Sequence, residues 1–290
     1  MWVLLVNPTS GGGKGKRYAD RVRSILLERK YEFIEISGRN FHDAAAKFNE
    51  VITTNSSRIN GVVVVGGDGM VHMAIQELAG TPIPIALVPA GTGNDFARSL
   101  NLNLKDPFSV LELTQNSLPV KTDLGRIGDR YFADILSTGF DSIVNERANS
   151  MRFVKGRMKY NMAILLELST FKPQTYRFQV DAIEFTTKAM LIAVSNGQSY
   201  GGGMKVTPDA RVDDGLFDIM ILGPVSKIEF LKVFPKVFSG QHVKHPAVKI
   251  LRGKKVTIES KAVAYADGER IGALPITAEI AEGAIMTWRN

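Results

Sequence analysis

The residues that could do chemistry are gathered in three short, glycine-rich turns. Asn7-Pro8-Thr9-Ser10-Gly11-Gly12-Gly13-Lys14-Gly15 is the first, Gly66-Gly67-Asp68-Gly69 the second and Gly91-Thr92-Gly93-Asn94 the third. Glycine lets backbone N–H groups approach a phosphate closely, and a helix that starts after such a turn adds the positive end of its dipole. Three such turns describe an anion site, to which Lys14, Lys16 and Arg17 could add charge. Any single one of them reads equally well as a plain strand-to-helix turn. Neither the Walker phosphate loop nor the dinucleotide fingerprint fits: Gly11 to Gly15 lacks the Walker spacing and its Ser/Thr.

Phosphoryl transfer needs the γ-phosphate held, its charge compensated, and an attacking hydroxyl aligned and relieved of its proton. Carboxylates near the turns are therefore informative. Asp68, between glycines at the end of a strand, projects toward whatever its turn holds, or else serves as an Asx cap. Asp123 and Asp267 are ambiguous on their own. His42, His72, His242 and His245 show no zinc spacing and read as surface or packing residues. Gly-x-Ser-x-Gly is absent, so a serine hydrolase would lack its nucleophile elbow.

The elements that must position these turns alternate. Apolar runs at Trp2-Val6, Phe33-Ile36, Gly61-Val65 and Ile85-Val88 interleave with amphipathic stretches from Tyr18 to Leu27, Ala44 to Ile52 and Val71 to Leu78. Val62-Val63-Val64-Val65 is apolar on consecutive residues, as in a parallel strand covered on both faces. A Rossmann-like α/β domain follows, with the turns at the carboxyl ends of its strands, where open α/β sheets bind ligands. Past about residue 123 the pattern becomes antiparallel: Tyr131-Leu136, Tyr176-Phe185, Ala189-Val194, Phe217-Leu222, Val248-Leu251, Val256-Glu259 and Ile276-Ile280. Helices are expected from Arg157 to Phe171 and from Ser226, where Ser226-Lys227-Ile228-Glu229 reads as a capping box. The expected division is a nucleotide-binding domain over 1–123, to which a tail from about 278 returns, and a mainly β-sandwich domain over 124–277.

At 290 residues, with 44% hydrophobic and 22% charged positions, the chain is long enough for two cores. It contains no cysteine, which excludes disulfides and thiolate metal sites. No window approaches the roughly 20 apolar residues of a membrane span, and Trp2 to Val6 runs into Asn7-Pro8 without a basic leader. A cytoplasmic protein is expected. The net charge of +7 points to an anionic partner. A basic, apolar stretch from Lys227 to Phe238 suits an anionic membrane surface, or a helix packed on a sheet with solvated lysines. No nucleic-acid module accompanies the charge.

The ordered set of motifs is recognisable. The three turns, with the third extended as Pro89-Ala90 and Asp95-Phe96-Ala97-Arg98, are followed by Gly139-Phe140-Asp141, Glu146-Arg147-Ala148, Lys155-Gly156-Arg157, Ser195-Asn196-Gly197, Pro208-Asp209-Ala210, Asp213-Asp214-Gly215-Leu216 and Asp267-Gly268-Glu269. In this order, across essentially the whole chain, they resemble the diacylglycerol kinase catalytic-domain family. The resemblance implies an NAD-kinase-like first domain and an ATP- and Mg²⁺-dependent kinase acting on a membrane lipid, with diacylglycerol to phosphatidic acid the leading reaction. It implies nucleotide contacts from Asn7, Ser37, Gly66, Gly67, Gly69, Gly91, Thr92, Gly93 and Asn94, with Glu269 near the base or ribose. It joins Asp68, Asp123 and Asp267 in an acidic network in an interdomain cleft, Asp68 acting through nucleotide-bound Mg²⁺ and Asp267 as general base or its activator. It gives Asp213, Asp214 and Leu216 to a second, structural Mg²⁺. The partner is a lipid at a membrane surface, met transiently, with no nucleic acid; the assembly state stays open, a homodimer included.

One departure stands out. The family usually follows the second turn with a threonine and then an Asn-Glu pair, where this chain has Met70, His72 and Met73. The competing readings are an NAD kinase, which shares the second turn, and a nucleotide or lipid sensor without turnover.

Overall fold

The computed structural model describes residues 1–151 and 157–289. Lys155 and Gly156, part of one motif, lie outside the described residues. The chain divides into two compact units: Met1–Leu124 with Val212–Gly215 and the C-terminal stretch from Ala281, and Gly125–Arg211 with Leu216–Ile280.

The first unit is built on β1 (Trp2–Val6), α1 (Ser10–Glu28), β2 (Phe33–Ile36), α2 (Phe41–Asn55), β3 (Gly61–Gly66), α3 (Asp68–Leu78), β4 (Pro84–Pro89), α4 (Asp95–Ser99) and α5 (Ser109–Asn116). Its strands are parallel, in the order β2-β1-β3-β4. Every residue of β1, β3 and β4 is buried, as the uninterrupted apolar runs require when helices cover both faces. Ala19, Val22 and Leu26 of α1, Phe48 and Ile52 of α2 and Ile75 and Leu78 of α3 supply that cover. The C-terminal stretch closes the unit: Met286 pairs in parallel with Pro84, and the Trp288 ring lies 5.8 Å from that of Trp2.

The second unit is antiparallel. After β5 (Val120–Ile127), which crosses into it, come β6 (Arg130–Phe132), β7 (Ile135–Gly139), α6 (Phe140–Ser150), α7 (Arg157–Thr170), β8 (Gln174–Val180), β9 (Ile183–Ala189) and β10 (Leu191–Ser195). They are followed by β11 (Phe217–Leu222), α8 (Lys227–Val233), β12 (Val248–Gly253), β13 (Lys255–Glu259), β14 (Val263–Ala266), β15 (Glu269–Ala273) and β16 (Ile276–Thr287). One sheet runs β12-β11-β10-β7-β14-β15; the facing one joins β9, β8, β13 and the start of β16. Inward side chains of both, among them Leu136, Phe178, Val194, Phe217, Ile219, Val256 and Ile258, form the sandwich core. A separate apolar cluster ties together α6, α7 and α8 through Phe140, Ala163, Leu168 and Phe230.

Three segments differ from the sequence reading. Tyr131-Leu136 is two strands, because the N–H groups of Ala133, Asp134 and Ile135 bond the Asp267 carboxylate instead of a ladder. Tyr176-Phe185 is a hairpin that turns at Asp181, whose φ of 50° is left-handed and whose carboxylate accepts from the Lys254 and Lys255 amides. Strands β14 and β15, absent from the reading, form a hairpin around Asp267-Gly268; both residues have positive φ (48° and 85°), the two-residue turn that Asp-Gly favours. The helix after Ser226 starts as expected, the Ser226 hydroxyl accepting from the Glu229 amide at 3.1 Å.

Candidate active site

In the first unit, Asn7, Ser37, Gly66-Gly67 and the third turn all lie at the carboxyl ends of neighbouring parallel strands β1, β2, β3 and β4. The turns touch one another through backbone. A Cβ on Gly67 would stand 2.9 Å from the Gly91 Cα, and one on Gly11 would stand 2.2 Å from the Ala90 carbonyl oxygen. Carbon atoms meet at about 3.5–4.0 Å, so glycine is what allows the second and third turns to close on each other. Gly11, Gly12 and Gly13 are all left-handed (φ 57°, 70° and 94°), which lets the first turn wind tightly before α1 runs on.

Polar side chains stiffen this backbone cradle. The Asn7 carboxamide oxygen accepts from the Thr9 amide at 3.1 Å and its hydroxyl at 2.9 Å. Asn94 uses both ends of its carboxamide on Gly91, accepting from the amide at 2.8 Å and donating to the carbonyl at 3.0 Å. Asp68 links the second turn to the third: its Oδ1 accepts from the Asp95 amide at 2.7 Å, and a Cβ on Gly93 would meet its Oδ2 at 2.5 Å and the Asp95 Oδ2 at 3.3 Å. Two carboxylates therefore converge beside Gly93. Arg98 closes the turn by donating to the Gly93 and Asn94 carbonyls. Asp95 and Arg98 stood in the recognised motif without a role; their part in the turn shows only once the chain is folded.

Gly69 differs from its neighbours. It sits second in α3, and a Cβ there would meet nothing within 4 Å. Amides of a first helical turn have no i−4 partner, so this open position faces a ready donor set. Met70, in place of the family's threonine, is buried and folded back on Gly66, with its Cγ 2.4 Å from where a Gly66 Cβ would be. Met73 is buried as well, and the Met70 amide bonds the Gly67 carbonyl at 2.9 Å. Met70 and Met73 thus add apolar packing under the turn.

Asp123 is buried in the same unit. Its Oδ2 accepts from the Gly215 amide at 2.8 Å and its Oδ1 from the Gly283 amide at 2.7 Å. It brings the Asp213-Asp214-Gly215 loop, otherwise distant in sequence, to the C-terminal stretch. Asp213 is gripped by the Arg289 guanidinium at 2.7 Å. Among the described residues no three His, Asp or Glu side chains gather to hold a metal ion.

In the second unit, two recognised segments meet on the loop of Ala133 to Ile135. The Asp267 carboxylate accepts from the amides of Ala133 at 2.6 Å, Asp134 at 3.0 Å and Ile135 at 3.2 Å, while Asn196 donates to the Ala133 carbonyl at 2.7 Å and its own amide bonds the Asp134 carbonyl at 2.8 Å. Asp267 and Asn196 therefore clamp one loop from two sides. Glu269 is exposed at the start of β15, two residues from Asp267. Asp141, in the recognised Gly139-Phe140-Asp141 motif, is a half-buried acid: Ser137 donates to it at 2.6 Å and Asn145 at 3.2 Å. Burial pushes its carboxyl above the usual range, while the Ser137 and Tyr200 hydroxyls pull it back.

Comparisons with known proteins bear on the family and the fold. A family model described as the diacylglycerol kinase catalytic domain matches residues 1–127, and one described as the YegS C-terminal NAD kinase beta sandwich-like domain matches 134–288. A diacylglycerol kinase of Mycobacterium tuberculosis is 39% identical over 285 residues, which cover 96% of this chain and 91% of that one. A diacylglycerol kinase of Bacillus subtilis is 26% identical over 94% of this chain and 90% of its own. Among solved structures, a diacylglycerol kinase of Bacillus anthracis superposes with a TM-score of 0.72 at 19% identity, covering all of this chain and 96% of that one. An NAD kinase of Archaeoglobus fulgidus in complex with ATP gives 0.57 at 15% identity, covering all of this chain and 94% of that one. The fold is thus that of the NAD-kinase-like kinases, an α/β domain with a β-sandwich behind it in sequence. Within that class, the chain belongs to the diacylglycerol kinase family of lipid kinases.

Proposed function

We propose that this protein transfers the γ-phosphoryl group of ATP to the free hydroxyl of diacylglycerol, giving phosphatidic acid. The single observation that carries the proposal is the closure of three glycine turns on one sheet edge, with Gly67 packed on Gly91 and Asp68 bonded to the amides that open α4. That arrangement supplies backbone donors to a run of phosphates, and the fold likeness to an NAD kinase solved with ATP supports the same ligand. Diacylglycerol as acceptor rests on the relatives that bear its name.

Asp68 and Asp95 fit a magnesium ion carried in by the nucleotide, since Mg²⁺ is commonly held by one or two carboxylates and substrate phosphates. When bound, it would neutralise charge on the phosphates. The loop of Asp213, Asp214 and Leu216, tied to Arg289 and Asp123, is proposed to hold a second, structural Mg²⁺ through carboxylates and backbone carbonyls. Ser37, Gly69 and Thr92 are proposed as further nucleotide contacts, and Glu269 as a contact to the base or ribose. Of the two roles the resemblance implies for Asp267, the three amides on its carboxylate favour activating and positioning over direct proton abstraction.

Incubation with ATP labelled in the γ position, Mg²⁺, and separate diacylglycerol, sphingoid base, phosphatidylglycerol, undecaprenol and NAD acceptors tests the proposal. Label in phosphatidic acid is expected. Label in phosphorylated NAD alone, or nucleotide binding without transfer to any acceptor, would overturn it.

A further inference from the structure

The segment Lys227 to Lys244 consists of α8 followed by two 3-10 turns, Phe234–Ser239 and Gln241–Lys244. Its inward residues are satisfied by packing. Phe230 and Val237 are buried, and the Phe230 ring meets Phe140 edge-on at 5.1 Å and stacks on Phe234 at 5.6 Å. The outward side of a surface helix is ordinarily polar. Here α8 exposes Ile228 (69% exposed) and Leu231 (45%), three residues apart, and the 3-10 turn that follows exposes Phe238 (54%). The Lys227 ammonium donates to the Ser169 carbonyl, and the Ser169 hydroxyl to the Leu166 carbonyl at 2.7 Å, which brings the end of α7 and its exposed Leu166 to the start of this stripe.

Charge on the segment is one-sided. Lys227, Lys232, Lys236 and Lys244 face a single carboxylate, Glu229, which is itself bonded to the His245 ring at 3.0 Å. Lys232, Lys236 and Lys244 are exposed and form no ion pair among the described residues. An isologous contact with a second copy would press two patches of the same positive charge together. A nucleic acid would answer the lysines and leave the apolar side chains in water. A bilayer containing anionic lipid answers both, taking Ile228, Leu231 and Phe238 into the acyl boundary while the ammonium groups stay at the headgroups.

We propose that the outward face of Lys227 to Lys244 is a docking surface for an anionic lipid bilayer. The proposal rests on the diacylglycerol reading only in that an acceptor dissolved in a bilayer gives the surface its use.

Cosedimentation of the full chain with mixed phosphatidylglycerol and phosphatidylcholine vesicles, against pure phosphatidylcholine, tests it. The wild-type chain is expected to pellet with the anionic vesicles and to be released by salt, which screens the lysines. Ile228→Ser/Leu231→Ser/Phe238→Ser is expected to lose at least tenfold in partitioning. Lys232→Glu/Lys236→Glu is expected to lose about 25-fold or more, from roughly fivefold per lysine near an anionic surface. Because all five side chains are exposed, both variants should melt with the wild type and keep turnover on short-chain diacylglycerol in detergent micelles. Wild-type pelleting by both variants would overturn the proposal. So would a wild-type dimer, dissociated by the triple serine variant, that binds no vesicles. Failure of the wild type to phosphorylate micellar diacylglycerol would count against the enzymatic reading, and the vesicle result would still stand or fall by itself.

Discussion

Gly69→Ala separates a glycine kept for folding from one kept for a ligand. A methyl group at Gly69 meets no protein atom within 4 Å, and the residue lies in the first turn of α3 with no left-handed φ. Replacing glycine in a helix removes an entropic cost of about 0.5–1 kcal/mol, so the variant should be as stable as the wild type or slightly more so. If a phosphate approaches the Gly69 amide, the same methyl intrudes on a charge-assisted hydrogen bond, a loss of about 1.5–3 kcal/mol and hence about 10- to 150-fold in ATP affinity. Gly67→Ala is the control. Its methyl would stand 2.9 Å from the Gly91 Cα, an overpacking that costs about 1–3 kcal/mol and lowers the melting temperature. Thermal unfolding and calorimetric ATP titration of both variants read the two effects apart. A Gly69→Ala protein that binds ATP as tightly as wild type would refute the reasoning, since nothing in the protein itself requires glycine there.

Three further outcomes follow from individual contacts. Asp68→Ala uncaps the amides of Asp95 and Phe96, and should cost about 0.5–2 kcal/mol in denaturant unfolding while lowering turnover far more than that loss of stability explains. Asp123→Ala strands the buried amide of Gly215 and the half-buried amide of Gly283, and should destabilise the chain by about 3 kcal/mol in the same assay. For Asp141, burial raises the folded carboxyl above its unfolded value, so its favourable contribution is complete below the unfolded pKa and is lost as pH rises through the folded one. Asp141→Asn should therefore gain in melting temperature over the wild type as pH is raised from 4 to 8, and a difference that stays flat with pH would contradict the assignment.

Local physics made much of this molecule legible in sequence. The run Val62 to Val65 can be buried on both faces only in a covered parallel sheet, and β3 is that strand. The three turns were visible because glycine has few other reasons to recur at strand ends. Contacts between residues far apart in sequence were not legible. Asp123 reads as an isolated acid until the fold delivers Gly215 and Gly283 to its two oxygens. The break inside Tyr131-Leu136 has no local signal either, because its cause is Asp267, more than 130 residues away. The β14–β15 hairpin has a local signal of its own: Asp267-Gly268, directly after the apolar run Val263 to Ala266, is the dipeptide of a tight hairpin turn.

The central claim is that backbone amides of the three turns together receive the phosphates. Amide chemical shifts of the ¹⁵N-labelled protein, followed while a non-hydrolysable ATP analogue and Mg²⁺ are added, examine those donors one by one. Gly11 to Gly13, Gly67, Gly69 and Gly91 to Gly93 are expected to shift together along a single binding curve. Shifts confined to other parts of the chain, with these glycines unmoved at saturation, would contradict the account.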